Sequence, residues 1–223
     1  MAADAGNPAP GNMEENTVKR RTLDIIFSVG GLLAAILILV LGLVLQNQAN
    51  FAKNYVHDQL AAQKIFFTPV KGLKPDENDP CLKTYAGEQL TTGAQAQCYA
   101  NHYIGVHVTL INDGKTYSQT SSDARALQAQ LAAMPDQNSA EAKQLAAQAA
   151  ATEAKATTLF QGETLRGLLL TSYGFSIFGD RAQQAAWVCY ALALVLFLAS
   201  IAGFVHAATK SADSPIGAHE TEA

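Results

Sequence analysis

Two uninterrupted apolar runs dominate the pattern of hydrophobic and polar positions along the chain. They cover residues 25–45 and 185–205, and each holds 21 residues without a charged side chain. A helix needs about 20 residues to cross a hydrocarbon core about 30 Å thick, and apolar runs of that length are rare in soluble proteins. The pattern therefore predicts two transmembrane helices, at 23–46 and 181–206.

Charged residues beside the first run predict the orientation. Lys19, Arg20 and Arg21 precede it, whereas only Lys53 lies near its far end. Because basic residues flank the cytoplasmic ends of membrane helices, we expect a plasma-membrane protein with both termini in the cytoplasm. A cleaved signal peptide is the alternative, but the run exceeds the about 7–15 residues of a signal core and no A-x-A motif follows it.

The segments outside the two runs differ in character. The polar tails, 1–22 and 207–223, are expected to be disordered and too short for a signalling domain. Between the runs, apolar side chains recur at helical spacing, as at Tyr99, Tyr103, Val106 and Leu110. We therefore expect an all-α membrane protein, in which an extracytoplasmic domain of about four helices, at 47–162, lies between two transmembrane helices.

The stretch 163–180 is ambiguous. It contains thirteen mostly apolar residues, which make about 20 Å of helix and are too few to cross a membrane. Since Gly174 and Gly179 permit a bend, we expect an interfacial elbow packed near Phe51 and Tyr55, and a straight helix is the alternative. The candidate interface residues are Leu165, Leu169, Tyr173, Phe175 and Phe178 here, with the small-residue pair Ala199 and Gly203 in the second run.

Two of the three cysteines predict a disulfide. Cys81 and Cys98 both fall in the segment placed outside the membrane, where thiols are often oxidised. A Cys81–Cys98 bond would stabilise the fold by about 3 kcal/mol on the chain-entropy model. Two unpaired thiols, or pairing with another chain, remain the alternatives, and Cys189 lies in the second apolar run as a packing residue.

The histidines outside the membrane are weak candidates for a metal site. They are His57, His102 and His107. His102 and His107 lie five residues apart, which is roughly 140° around an α-helix, whereas zinc motifs place histidines at i and i+4. No nucleophile elbow or phosphate-binding glycine loop occurs in the sequence. We therefore expect no catalytic residue, no cofactor and no enzymatic activity.

Charge argues against a nucleic-acid partner. The chain has a formal net charge of −4, and basic and acidic residues are interspersed between the runs. A phosphate backbone is bound by a basic patch or stripe, and none is present in the sequence. The expected partners are the lipid bilayer and other membrane proteins, including further copies of this chain.

Three segments resemble a known group of proteins. They are "NYVHDQLAAQKIFF", "YAGEQLTTGAQAQCYANHYIGVH" and "GETLRGLLLTSYGF". Across residues 54–178 the chain resembles a family of uncharacterised actinobacterial membrane proteins with two transmembrane helices and no established activity. Some relatives carry a label as a ring-opening dioxygenase subunit, a chemistry that the histidine spacing does not support. The resemblance implies a membrane location and a type of host, not a mechanism.

Three functional hypotheses follow from the sequence. The leading one is a non-catalytic integral membrane protein whose outer helical domain mediates protein–protein association, as an accessory subunit of a cell-envelope or respiratory complex. Aromatic residues on the predicted helices support a second, an extracytoplasmic domain that binds lipids or small molecules. A closed apolar pocket would favour it and a filled core would argue against it. The third is a metal-dependent enzyme.

Overall fold

The computed structural model describes residues 20–209 and is almost entirely helical, which confirms the all-α prediction. Its helices are α1 Arg20–Ala62, α2 Pro80–Thr84, α3 Gly93–Cys98, α4 Gly105–Ile111, α5 Tyr117–Ala132 and α6 Ala140–Thr209. A π-helical turn, Tyr99–Ile104, joins α3 to α4, and 3-10 turns occupy Val70–Gly72 and Pro75–Glu77. No strand occurs within residues 20–209, where the only extended pairing is an isolated bridge between Phe66 and Gln89.

The two predicted apolar runs lie in the two longest helices. Helix α1 has 43 residues and α6 has 70, and both are long and apolar enough to cross a membrane. The helices begin and end a few residues inside the predicted tails 1–22 and 207–223. The remainder of those tails, 1–19 and 210–223, lies outside the described residues, so their expected disorder stays a prediction.

The expected elbow at 163–180 is not a break in the helix. These residues are helical throughout and belong to α6. This agrees with the alternative of a helix that continues into the second apolar run. A glycine inside a helix costs about 1 kcal/mol relative to alanine, but Gly179 has a packing role that offsets this cost. A Cβ there would lie 3.0 Å from the Ala52 Cβ and 3.5 Å from the Ala49 carbonyl oxygen. The expected packing against α1 is confirmed, since the Tyr55 and Phe175 rings lie 5.9 Å apart.

The described chain forms two compact units, of which the first combines residues 20–44 and 185–209. Within its described part, small side chains line the contact between α1 and α6. They recur every seven residues, as Ser28, Ala35 and Gly42 on α1 and as Ala193, Ser200 and Ala207 on α6. Seven-residue spacing is typical of helices that supercoil around each other, and small residues let their backbones approach closely. Most other side chains of this unit are large, apolar and exposed.

The second unit, residues 45–184, contains the hydrophobic core. The C-terminal end of α1, the segment 65–90, the helical segment 93–111 and α6 all contribute to it. Its buried members include Val56, Leu60, Phe67, Leu82, Leu90, Ile104, Val108, Leu159 and Leu169. Helix α5 packs along α6, where the Tyr117 and Phe160 rings lie 5.4 Å apart.

Candidate functional site

The predicted disulfide is present between Cys81 and Cys98, so that prediction is confirmed. The bond links α2 to the last residue of α3. Helix α2 is capped by Asp79, whose Oδ1 accepts a hydrogen bond of 2.8 Å from the Cys81 backbone N–H. Thr92 and Gln95 form a capping box that begins α3. The bond and the two caps fix the acidic segment 75–81 against the helical segment 93–111.

Two carboxylates of this acidic segment meet two of the predicted histidines. The Asp79 Oδ2 atom lies 2.8 Å from His102 Nδ1, and the Glu77 Oε1 atom lies 3.1 Å from His107 Nε2. The Glu77 side chain is only 3% exposed, whereas that of His102 is 45% exposed. In the sequence both acids belong to a polar linker, and no motif spacing distinguishes them from ordinary surface residues.

His102 and His107, which an α-helical reading separates by roughly 140°, both contact the segment 77–79. An α-helix rotates by about 100° per residue. The turn Tyr99–Ile104 is π-helical, and its i→i+5 hydrogen bonds fit more residues into each turn. The rotation per residue is therefore smaller there, which reduces the angle between the two histidines.

Contacts on both sides hold the Glu77–His107 pair in place. His107 Nδ1 lies 2.7 Å from the Tyr103 carbonyl oxygen, which can only accept a hydrogen bond. His107 Nε2 lies 3.1 Å from Glu77 Oε1. The other oxygen of Glu77, Oε2, accepts from the Lys74 backbone N–H.

An aromatic stack continues from this pair into the core. Ring centroids are 5.3 Å apart for Phe67 and Tyr99, 4.6 Å for Tyr99 and Tyr103, and 4.5 Å for Tyr103 and His107. Burial raises the pKa of Tyr99 to about 12, and the neighbouring Tyr103 and Glu77 add to the shift. These aromatic side chains pack against one another, which argues against a ligand pocket among them.

Metal-ligating groups come together at one place in the described chain. Asp79, Cys81 and His102 offer ligand atoms that all lie within 4.8 Å of one another. In the disulfide form the Cys81 sulfur is bonded to Cys98 and is not available to a metal, which leaves one oxygen and one nitrogen. His57 pairs instead with the adjacent Asp58, at 3.2 Å on the surface.

A second feature of this unit is an open apolar groove of about 380 Å³ between α1 and α6. Tyr55 and Leu60 line it from α1, and Leu165, Leu168 and Phe175 line it from α6. Leu168 is 62% exposed and Tyr55 is 49% exposed. The groove is neither the closed pocket that would favour a small ligand nor a filled core.

The structure distributes the predicted interface residues among different environments. Leu165 and Phe175 line the groove, and Phe178 is 74% exposed. Leu169 also lines the groove but is a core residue with 3% exposure, and Tyr173 is partly buried. Ala199 is exposed, whereas a Cβ at Gly203 would collide with Ser28 Oγ, so that Gly203 packs within the chain.

Two glycines beside the groove face open space. A Cβ added at Gly167 or at Gly174 would meet no atom within 4 Å, and Thr171 between them is exposed. Residues at this spacing share one side of a helix. This side of α6 is therefore uncovered in the described chain, and Thr171 is the residue that it shares with the lining of the apolar groove.

Comparisons of the chain with protein-family models, curated proteins and solved structures give no match.

Proposed function

We propose that the protein spans a membrane twice and that residues 45–184 form an extracytoplasmic helical domain. Only 17% and 11% of the most apolar windows of α1 and α6 are buried. Exposed apolar surface of this extent in the first unit would be covered by lipid. The Cys81–Cys98 disulfide supports an oxidising location for the domain.

Labelling of intact cells tests the orientation. After treatment with a membrane-impermeant reductant, an impermeant maleimide is expected to modify Cys81 and Cys98 in unlysed cells. Without the reductant we expect no modification of these two residues. Labelling of these two residues only after lysis would place the domain on the cytoplasmic side and contradict the proposal.

We further propose that this domain is a non-catalytic docking module which binds an apolar α-helix of another membrane protein. The observation that carries this proposal is the apolar groove with its neighbouring open glycines, Gly167 and Gly174. The part of the groove from Leu165 to Phe175 is about 15 Å long at 1.5 Å per residue. Apolar grooves of this kind accept the apolar face of a helix, and small residues permit close approach of its backbone.

A paired substitution tests helix docking. The full chain would be purified in mild detergent, with Gly167→Leu and Gly174→Leu combined in one variant. No atom of the isolated chain lies within 4 Å of a Cβ added at either position, whereas the leucine side chains would obstruct an approaching helix. We expect a co-purifying membrane protein, or a second copy of this chain, to be lost from the variant.

Gly30→Leu is the matched control, since Gly30 is an equally open glycine within a helix of the first unit. It should retain the partner. A wild-type chain that purifies as a monomer without reproducible partners, or a double variant that keeps them, would argue against docking in the groove.

The groove also supports a second candidate function, the binding of a lipid acyl chain. Its volume of about 380 Å³ lies in the range of small-molecule sites, roughly 300–1,000 Å³. Mass spectrometry of the purified chain would then detect a stoichiometric lipid that is absent from Leu168→Glu. Absence of a bound lipid from the wild-type protein would eliminate this candidate.

A further inference from the structure

The disulfide lies next to two other groups that bind metals. The Cys81 sulfur, a carboxylate oxygen of Asp79 and a ring nitrogen of His102 are mutually within 4.8 Å, and the Cys98 sulfur is bonded to Cys81. Two thiolates, one imidazole and one carboxylate are four ligands of the types that Zn²⁺ prefers. In the disulfide form the sulfurs are unavailable, and Asp79 Oδ2 lies 2.8 Å from His102 Nδ1.

We propose that reduction of the Cys81–Cys98 disulfide creates a tetrahedral zinc site formed by Asp79, Cys81, Cys98 and His102. The site is therefore controlled by the oxidation state of its own ligands. A dithiol reductant provides two electrons and two protons by thiol–disulfide exchange and is itself oxidised to a disulfide. Zn²⁺ then displaces the two thiol protons. Overall, the protein disulfide, the dithiol reductant and Zn²⁺ react to give a zinc dithiolate, the oxidised reductant and two protons.

The required movements of the ligands are small. Zinc–sulfur bonds near 2.3 Å and zinc–nitrogen or zinc–oxygen bonds near 2.0–2.1 Å place tetrahedral ligand atoms about 3.3–3.8 Å apart. Asp79 Oδ2 and His102 Nδ1, now 2.8 Å apart, need to separate by about 0.5 Å, and the Cys81 sulfur, now within 4.8 Å of ligand atoms of both residues, needs to approach them by about 1 Å. The two sulfurs need to move apart, and cleavage of the covalent bond between them allows this.

Both the reductant and the metal have access to the site. Cys81 is partly exposed, whereas Cys98 is only 5% exposed, so an attacking thiolate reaches the Cys81 sulfur and Cys98 is the leaving group. The side chains of Asp79 and His102 are 30% and 45% exposed. An ion can therefore enter from solvent without opening of the core.

The acidic ligand is already oriented. Asp79 Oδ1 accepts the Cys81 backbone N–H at 2.8 Å, and this leaves Oδ2 facing His102 Nδ1 at 2.8 Å. Hydrogen bonds of this kind, made by the atoms next to a ligand atom, fix the orientation of metal ligands. In the zinc form Oδ2 and a ring nitrogen of His102 would each bind the ion.

The test uses Co²⁺ as a spectroscopic substitute for zinc. The full chain in detergent is first reduced with a phosphine, which takes up an oxygen atom from water to form a phosphine oxide. The reduced chain is then titrated with Co²⁺. We expect one equivalent to give a thiolate-to-cobalt charge-transfer band and tetrahedral d–d bands, both abolished by Zn²⁺. His102→Ala and Asp79→Ala should each weaken binding at least about tenfold.

His57→Ala is the matched control, because His57 pairs with the adjacent Asp58 on the surface and does not contact the acidic segment. It should bind Co²⁺ as the wild type does, and circular dichroism should show that each variant remains helical. The proposal is overturned if the reduced wild type gives no charge-transfer band, if the oxidised chain binds equally well, or if both ligand variants bind normally.

Discussion

The Glu77–His107 pair should control how firmly the acidic segment is held against the helical segment beside it. The perturbation is Glu77→Gln, combined in a double-mutant cycle with His107→Gln. Glutamine keeps the size of the side chain and an oxygen that can accept from the Lys74 backbone N–H. The substitution therefore removes mainly the charge-assisted contact between Glu77 Oε1 and His107 Nε2, which lie 3.1 Å apart.

Burial sets the expected size of this effect. Hydrogen bonds to charged groups contribute roughly 1.5–3 kcal/mol. The Glu77 side chain is 3% exposed, but that of His107 is 33% exposed and can be partly rehydrated. We therefore expect a value of about 2 kcal/mol, near the lower end. Since 1.4 kcal/mol is a factor of ten, local opening of the segment should become about 30-fold more frequent.

Amide hydrogen exchange of the full chain, followed by mass spectrometry, measures this opening directly. The reporting amides lie in residues 72–79, where several backbone N–H groups donate within the 3-10 turns. Glu163→Gln is the matched control, because the Glu163–Arg166 pair at 3.3 Å is exposed and should contribute under about 1 kcal/mol. An increase below threefold in Glu77→Gln, or additive effects in the cycle, would refute the argument.

Three further predictions concern other parts of the structure. Gly203→Leu would force a side chain against Ser28 and should destabilise the helix pair by about 1–3 kcal/mol, seen as a lower aggregation temperature in detergent that Gly30→Leu does not share. The pKa of Tyr99 is raised to about 12, so its neutral phenol stabilises the fold fully below pH ~10, and this contribution is lost as the pH rises towards 12. The difference in absorbance at 295 nm between wild type and Tyr99→Phe should titrate near 12, and a midpoint near 10 would contradict it. Thr92→Ala removes a helix cap and should accelerate exchange of amides 93–96, consistent with a loss of about 1 kcal/mol.

Features encoded by local signals could be predicted from the sequence. Long charge-free runs predicted the two long apolar helices, because apolar runs of about 20 residues are rare outside membrane-spanning helices. Two cysteines in a segment assigned to an oxidising compartment predicted the disulfide. The spacing from Tyr99 to Leu110 predicted a helical segment, and Thr92 begins it as a cap.

The elbow shows where local signals mislead. The glycines at 174 and 179 reduce helix propensity, and from the sequence alone they favour a bend. In the structure Gly179 instead allows close contact between α6 and Ala52 of α1. That contact joins residues more than a hundred positions apart, so no window of the sequence contains the information that the helix continues.

The Asp79–His102 and Glu77–His107 pairs were missed for a different reason, namely the helical register of the segment that carries the two histidines. An α-helical reading of residues 93–111 separates His102 from His107 by roughly 140° and removes them from consideration as partners of one segment. The π-helical turn changes this register without any distinctive residue, since its sequence "YANHYI" would suit an α-helix. π-Helical turns inside α-helices occur frequently at functional sites, and here the turn lets two histidines meet two carboxylates. His102, which has ligand atoms of Asp79 and Cys81 within 4.8 Å, lies inside this turn, and His107 lies three residues after it, so the proposed zinc site and the Glu77–His107 pair are joined through the same turn.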